Sequence, residues 1–276
     1  MNNLTKRILT ALWGIPLILF LTYKGSIYFL ILVLIINGIS LYEFYFLHEK
    51  LNIFPFKAIG VFFSSLILLT VYFLSLDFLY IGFLITVVAL LLWHLRLSKT
   101  HASVNTSITL SGIMYITLFL SALILLRQNF DVWVGVEKDQ NVGGIYFLFF
   151  WISIWVSESF AYFGGYLFGK HKLAPHTSPN KTIEGAFFAL IGPFIIFLGI
   201  TPFFLPQLAL RHLIISALIV GILGQIGDLV ESRFKRDAVV KDTSNILLGH
   251  GGFLDRFDSL IFVSPFLYLY FYFARF

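Results

Sequence analysis

Charged residues concentrate in one segment, residues 224–259, of a chain that is otherwise strongly apolar. This segment has 11 of the chain's 33 Asp, Glu, Lys and Arg residues within 36 of its 276 positions. Lipid penalises charge, so a charged cluster between two apolar stretches requires a functional reason. Carboxylates interleaved with bases can bind metal ions and phosphates together. The pattern predicts the active site of a membrane enzyme that acts on a nucleotide.

The first half of this segment aligns three polar side chains. Asp228, Ser232 and Lys235 are spaced i, i+4 and i+7, which places a carboxylate, a hydroxyl and an ammonium on one helical face. A lone carboxylate at a helix end is more often a solvated cap or an ion-pair partner, but the aligned Ser and Lys favour a site. The same stretch has small residues that let a neighbouring helix approach closely, at Gly221, Gly224 and Gly227.

The second half of the segment contains GHGGFLDRFDS. Gly251 and Gly252 permit tight turns and close approach to a ligand. Asp255 and Asp258 are spaced i, i+3 at the start of the last apolar run. The alternative is a flexible turn followed by acidic residues that complement a helix dipole. That alternative leaves His250 and the paired glycines unexplained, so we favour a binding loop.

Convergence of Asp228 and Asp255 would create a site for one or two divalent cations. Oxygen ligands together with bound phosphates are the usual environment of Mg²⁺. Nucleotidyl transfer requires neutralisation of the attacking phosphate and the departing pyrophosphate, which metal ions and Lys or Arg supply. A phosphate nucleophile is already ionised and needs no general base. We therefore predict Mg²⁺ as the cofactor and leave the identity of a second cation open.

Another polar loop, GKHKLAPHTSPNKTIEG, lies between two other apolar runs. Ser178 followed by Pro179 is typical of a helix N-cap with proline at the first helical position. Asn180, Lys181 and Thr182 would then line a helix N-terminus, which favours anions. Taken alone, the lysines of this loop are more typical of ordinary positive residues on the inner side of a membrane.

Composition indicates an integral membrane protein. The chain is 59% hydrophobic and 12% charged, whereas soluble domains are about 25% charged. Apolar runs long enough to cross a bilayer as helices predict an all-α, polytopic fold. With no Cys in the chain, disulfides and thiolate metal sites are excluded. We expect about nine spans, near residues 8–23, 26–47, 57–76, 78–95, 107–126, 144–169, 185–205, 208–230 and 258–275.

Lys and Arg predict the orientation. With the N-terminus inside, 14 of the 19 Lys and Arg residues fall on the inner side, as the positive-inside rule requires. This arrangement places the C-terminus outside and both polar loops, 170–184 and 231–257, in the cytoplasm. The chain also divides in character. Residues 1–143 contain about five spans and an outer loop at 127–143, and residues 144–276 contain about four spans and every motif above.

The motifs of the C-terminal half resemble those of the phosphatidate cytidylyltransferase (CDP-diacylglycerol synthase) family. Its signature runs Ser-x-apolar-Lys-Arg, four residues, Lys-Asp-x-small, and then His-Gly-Gly-apolar-x-Asp-Arg-x-Asp. The positions that fill it are Ser232, Phe234, Lys235, Arg236, Lys241, Asp242, Ser244, His250, Gly251, Gly252, Phe253, Asp255, Arg256 and Asp258. The family's upstream Ser-Pro-x-Lys-Thr-x-Glu-Gly is matched by Ser178, Pro179, Lys181, Thr182, Glu184 and Gly185. The close resemblance covers about residues 155–260.

Two positions depart from the family pattern. Leu248 stands where proline or glycine is usual, and we expect this change to alter only a loop bend. Glu158 stands where aspartate is usual, inside an apolar span in which a charge is costly. The longer side chain could shift a ligand or loosen a site.

The resemblance implies a reaction in which CTP and phosphatidic acid give CDP-diacylglycerol and pyrophosphate, with Mg²⁺. It implies metal ligation by Asp228 and Asp255, with catalytic roles for these two, Ser232 and Lys235. The substrate-binding residues that it implies are Lys181, Thr182, Arg236, Lys241, Asp242, His250, Gly251, Gly252, Arg256 and Asp258. The expected location is a bacterial inner membrane, with the site facing the cytoplasm.

Two other functions remain open from the sequence. A CTP-dependent kinase of a polyprenol-type lipid alcohol would need a base and would release CDP. An ion-coupled transporter would scatter its charges over several helices and depths, whereas here they gather at one predicted membrane face. We expect no nucleic-acid partner. A homodimer is compatible with the sequence, which does not determine the oligomeric state.

Overall fold

Helices dominate the computed structural model, which describes residues 3–74, 77–96, 101–136, 140–244, 246 and 251–274. Short π-helical stretches interrupt two of them, at Ile113–Thr117 and at Ile195–Ile200. Two antiparallel strands precede the seventh helix, β1 (Lys172–Ala174) and β2 (Ser178–Thr182). The helices in these ranges are α1 (Asn3–Lys24), α2 (Ser26–Glu49), α3 (Lys57–Leu74), α4 (Asp77–Leu95), α5 (Ala102–Trp133), α6 (Val142–Phe168), α7 (Ile183–Phe204), α8 (Leu210–Asp237) and α9 (Leu254–Ala274).

Eight helices in the described part of the chain are long and apolar enough to cross a membrane. They are α2 to α9, and each corresponds to one predicted span. The remaining predicted span falls in α1, which contributes a shorter apolar helix, Ala11–Lys24. The all-α, polytopic membrane fold is therefore confirmed, with a small β-hairpin added to it. The total of nine spans and the N-in, C-out direction stay predictions.

The predicted outer loop at 127–143 is wrong in its bounds, because α5 and α6 extend into it from both sides. Arg127 is helical and buried. Its guanidinium donates to the carbonyl oxygens of Thr22 and Tyr23, and to Oδ1 of Asn141 at 2.8 Å. A polar side chain whose donors are satisfied by neighbouring segments does not have to leave the helix bundle.

The predicted helix N-cap at Ser178 is also wrong. Ser178 begins β2, and Thr182 caps α7 through an Oγ1 that accepts a hydrogen bond from the Gly185 amide at 3.1 Å. Pairing with β1 draws the backbone into a strand and delays the helix start. Glu184 supports this arrangement by accepting from the ring Nδ1 of His171 at 2.6 Å and from its amide at 3.2 Å.

One hydrophobic core joins the two halves of the chain. Phe44 of α2 and Phe130 of α5 belong to the same buried cluster as Phe150 of α6 and Phe257 of α9. Large side chains buried against one another attract through many dispersion contacts, which hold the helices of both halves in one bundle. The predicted division of the chain near residue 143 describes where the motifs lie in the sequence and stays a prediction. The buried core itself is continuous across that point.

The small residues of α8 allow α9 to approach closely at the end that carries the motifs. A Cβ on Gly227 would lie 3.0 Å from the backbone oxygen of Asp258. One turn earlier, the backbone oxygen of Gly224 accepts a hydrogen bond from Ser259 Oγ at 3.1 Å. Close approach of small residues is a common means of helix association in membranes. It brings the acidic end of α8 next to the acidic start of α9.

Candidate functional site

A cavity of about 670 Å³ lies at the end of the bundle where α6 and α8 end and α7 and α9 begin. The hairpin between α6 and α7 forms part of its wall. The two polar loops, which are distant in sequence, therefore meet at one place. The predicted site residues that line this cavity are Lys181, Thr182, Asp228, Lys235, Asp255, Arg256 and Asp258.

Three carboxylates converge here, and two of them, Asp228 and Asp258, line the cavity. Asp228 and Glu231 of α8 and Asp258 of α9 each offer an oxygen atom, and these atoms all lie within 4.8 Å of one another. Glu231 and Asp258 are buried, and Oε1 of Glu231 accepts no hydrogen bond from the described residues. Buried carboxylate oxygens without donors are costly unless a cation compensates them. Their hard oxygen ligands fit a divalent cation such as Mg²⁺.

Two lysines oppose these negative charges. Nζ of Lys181, on β2, lies 2.5 Å from Oδ2 of Asp228. Nζ of Lys235 lies between two acidic side chains, 2.5 Å from Glu231 and 2.7 Å from Asp255. The side chains of Lys235 and Glu231 are 11% and 0% exposed, so water screens their attraction little. Lys235 thus links the acidic end of α8 to the start of α9.

Asp255 has hydrogen-bond partners on both carboxylate oxygens. Oδ1 accepts from Lys235 at 2.7 Å. Oδ2 accepts from the amides of Gly252 at 2.8 Å and Thr243 at 3.1 Å, and lies 3.2 Å from the Thr243 hydroxyl. These donors come from the segment just before α9. Asp255 therefore organises the loop that leads into its own helix.

The predicted pairing of Asp228 with Asp255 as metal ligands stays a prediction. Both residues line the cavity, but Asp258 is the α9 carboxylate that groups with Asp228 and Glu231. The physical reason is local. The amides that precede α9 point at Asp255 and occupy its oxygens, whereas Asp258 lies almost one helical turn further on and faces α8.

Other predicted residues have supporting positions. Oγ of Ser232 donates to Oδ1 of Asp228 at 3.2 Å, as their i, i+4 spacing predicted. Gly251 has a φ of 80°, a left-handed conformation that side chains rarely adopt. His250 and Leu248 lie outside the described residues.

Three predicted substrate-binding residues, Arg236, Lys241 and Asp242, do not line the cavity of about 670 Å³. Arg236 donates to the carbonyl oxygens of Thr177 and Val240, each at 3.0 Å, and so ties the hairpin turn to the end of α8. Lys241 and Asp242 line a separate cavity of about 600 Å³ beside α2. The loop after α8 turns towards α2, and Lys241 and Asp242 lie in that loop.

Two acidic residues escaped prediction, Glu231 in the carboxylate group and Glu43 beside the second cavity. Glu231 lies one turn after Asp228 and one turn before Lys235, and that spacing was the available signal. Glu43, in α2, accepts four hydrogen bonds from the loop before α9 and from the helix start. Its signal was a charge inside an apolar span. Glu158, singled out for the same reason, lines the cavity.

Comparison with known proteins reveals relatives along the whole chain. The sequence matches the cytidylyltransferase family over residues 5–274. It is 36% identical to a phosphatidate cytidylyltransferase of Bacillus subtilis (strain 168) over 275 residues, which cover 97% of each chain. Phosphatidate cytidylyltransferases of Staphylococcus saprophyticus and Staphylococcus epidermidis are 44% and 41% identical over 152 residues, which cover 54% of this chain and 58% of each relative.

Proposed function

This chain belongs to the cytidylyltransferase family, and we propose that the cavity lined by Lys181, Asp228 and Asp258 is where it transfers the cytidylyl group of CTP to phosphatidic acid. The products are CDP-diacylglycerol and pyrophosphate. The observation that carries the proposal is that Asp228, Asp258, Lys181 and Lys235, from separate motifs, line one cavity, with the carboxylate of Glu231 beside them. Its volume of about 670 Å³ is typical of sites for small organic molecules.

The reaction is an in-line displacement at the α-phosphorus of CTP. An oxygen of the lipid phosphate forms the new P–O bond. The bond to the bridging oxygen of the β-phosphate breaks, and pyrophosphate leaves with that electron pair. Because the lipid phosphate is already ionised, the protein does not have to remove a proton. It has to align the two phosphates and offset their mutual repulsion.

Charged side chains of the cavity would provide this alignment. Lys181 and Arg256 line the cavity and would neutralise phosphate oxygens. Asp228, Glu231 and Asp258 would hold Mg²⁺. When bound, the ion would withdraw charge from the phosphates and orient them. A second cation remains part of the proposal, with its identity unassigned.

Two residues predicted as catalytic are better assigned to positioning. Lys235 lies between Glu231 and Asp255 and is already paired with both. Ser232 donates to Asp228 and so restricts the orientation of that carboxylate. Partners that orient metal-binding side chains commonly matter nearly as much as the ligands themselves. We propose that Lys235 and Ser232 fix the orientation of the neighbouring carboxylates.

The lipid substrate would reach this cavity from the bilayer. Tyr162 and Tyr166 line it near the end of α6, and these residues are 67% and 78% exposed. Tyrosine is enriched where hydrocarbon meets head groups, which is the depth of a phospholipid phosphate. We propose that this face is the cytoplasmic side of a bacterial inner membrane, where CTP is available.

The orientation has a direct test because the chain contains no Cys. Lys50→Cys, after α2, should react with a membrane-impermeant maleimide from the inner side of the membrane. Lys24→Cys, at the end of α1, should react from the outer side. The reverse pattern would contradict the proposed topology. A homodimer is a further proposal, which the mass of the protein in lipid nanodiscs would test.

The function is tested by supplying purified protein in lipid with CTP, phosphatidic acid and Mg²⁺. We expect CDP-diacylglycerol and pyrophosphate in equal amounts, and no product when a diacylglycerol or polyprenol replaces phosphatidic acid. Phosphorus NMR distinguishes released pyrophosphate from the CDP that a lipid kinase would give. CDP as the sole released nucleotide product, or no reaction with phosphatidic acid, would contradict the proposal.

A further inference from the structure

Glu43 is a buried acidic residue in the chain's N-terminal half, far in sequence from the cavity motifs. It lies on α2 and is 1% exposed. Oε2 accepts from the hydroxyl of Thr243 at 2.8 Å and the amide of Leu254 at 2.7 Å. Oε1 accepts from the hydroxyl of Ser244 at 2.5 Å and the amide of Phe253 at 2.9 Å.

This carboxylate has an unusual environment for a buried acid. None of the ion pairs among the described residues involves Glu43. Two of its donors are amides at the start of α9, where a helix has N–H groups without partners inside it. The positive end of the helix dipole also lies there. Glu43 is therefore a helix cap supplied by a different helix.

The cap is connected to the cavity through Thr243. The hydroxyl of Thr243 lies 2.8 Å from Glu43 and 3.2 Å from Asp255, and its amide donates to Asp255. Asp255 in turn pairs with Lys235, which pairs with Glu231. A continuous series of polar contacts thus runs from α2 to the carboxylate cluster.

We propose that Glu43 is a positioning residue for cytidylyl transfer. By capping α9 and holding the loop before it, Glu43 fixes where Arg256 and Asp258 enter the cavity. This inference rests on the proposed function and extends it to a residue outside the signature motifs. It also gives the N-terminal helices a part in the reaction geometry.

The test compares Glu43→Gln with a matched control on the same helix, Glu49→Gln. The glutamine keeps the shape of the side chain, but its NH₂ group faces donors and cannot accept from them. Glu49 pairs with Lys57 at 2.9 Å, outside both cavities. We expect Glu43→Gln to lower kcat about 10- to 100-fold, as loss of a partner that orients site residues commonly does. The KM for phosphatidic acid and the control's kcat should stay near wild type.

A measurement that needs no turnover accompanies the kinetics. Hydrogen–deuterium exchange at the amides of Phe253 and Leu254 should accelerate in Glu43→Gln, with exchange in α5 unchanged. Wild-type kcat in Glu43→Gln would overturn the inference, and unchanged exchange would show that Glu43 does not cap α9. If wild-type protein makes no CDP-diacylglycerol, the proposed function fails, yet the exchange measurement still decides whether Glu43 caps α9.

A second pair of variants tests the same connection if Glu43→Gln does not insert into the membrane. Thr243→Val removes the bridging hydroxyl at nearly constant volume, and Thr243→Ser keeps it. We expect Thr243→Val to lower kcat and Thr243→Ser to retain most of the wild-type kcat. Equal kcat in both variants would contradict the proposed connection between Glu43 and Asp255.

Discussion

Nζ of Lys181 lies 2.5 Å from Oδ2 of Asp228, which connects the hairpin to α8 across the cavity. The same aspartate groups with Glu231 and Asp258. The lysine ammonium and the proposed cation therefore share one carboxylate. Substrate phosphates that attract Lys181 would release Asp228 for stronger interaction with the ion, so binding of nucleotide and of cation should favour each other.

This pairing predicts the effect of Lys181→Met, which keeps the length of the side chain and removes its charge. We expect kcat/KM for CTP to fall about 10- to 100-fold. This decrease corresponds to the loss of one hydrogen bond to a charged group, about 1.5–3 kcal/mol. Lys170→Met is the matched control, because Lys170 is exposed and does not line the cavity. Steady-state kinetics with varied CTP give the comparison, and equal values in the two variants would contradict the role of Lys181.

Gly227→Ala tests whether close contact of α8 and α9 is needed. The added methyl group would lie 2.6 Å from Cβ of Phe262 and 3.0 Å from the backbone oxygen of Asp258. We expect the helices to separate, with a loss of about 1–3 kcal/mol in the free energy of unfolding and a lower kcat. Gly199→Ala is the control, since nothing lies within 4 Å of its Cβ position. Thermal unfolding and kcat are the measurements, and a wild-type kcat in Gly227→Ala would count against the account.

Lys235→Met tests the buried ion pairs. Removing the ammonium leaves Glu231 and Asp255 without the lysine charge that pairs with both of them. We expect a loss of about 3–5 kcal/mol in the free energy of unfolding, because an uncompensated buried charge is costly. The double variant with Glu231→Gln should recover part of this loss. Denaturant unfolding in lipid gives both values, and additive losses would show that the two residues do not interact.

Much of this fold could be predicted from the sequence because lipid imposes a simple rule on the chain. Apolar runs of sufficient length become helices, as the predicted spans 26–47 and 144–169 illustrate. Side chains one helical turn apart, such as Asp228 and Ser232, share a face by geometry alone, and their hydrogen bond follows. Local spacing was a sufficient guide in these cases.

Features that depend on distant segments could not be predicted in the same way. Ser178 has the local chemistry of an N-cap, but strand pairing moves the N-cap to Thr182. The α9 carboxylate that faces α8 depends on which oxygens the preceding loop already occupies, so Asp255 and Asp258 cannot be distinguished by spacing. Glu43 becomes interpretable only when α2 is placed beside the start of α9.

Binding of Mn²⁺, as a spectroscopic substitute for Mg²⁺, tests the central claim most directly. Electron paramagnetic resonance titrations would compare Asp258→Asn with Asp237→Asn, a control on α8 whose partly exposed carboxylate pairs with Arg233. The account predicts that wild type and Asp237→Asn bind Mn²⁺ equally, and that Asp258→Asn binds at least about tenfold more weakly. Wild-type affinity in Asp258→Asn would contradict a cation site formed by Asp228, Glu231 and Asp258.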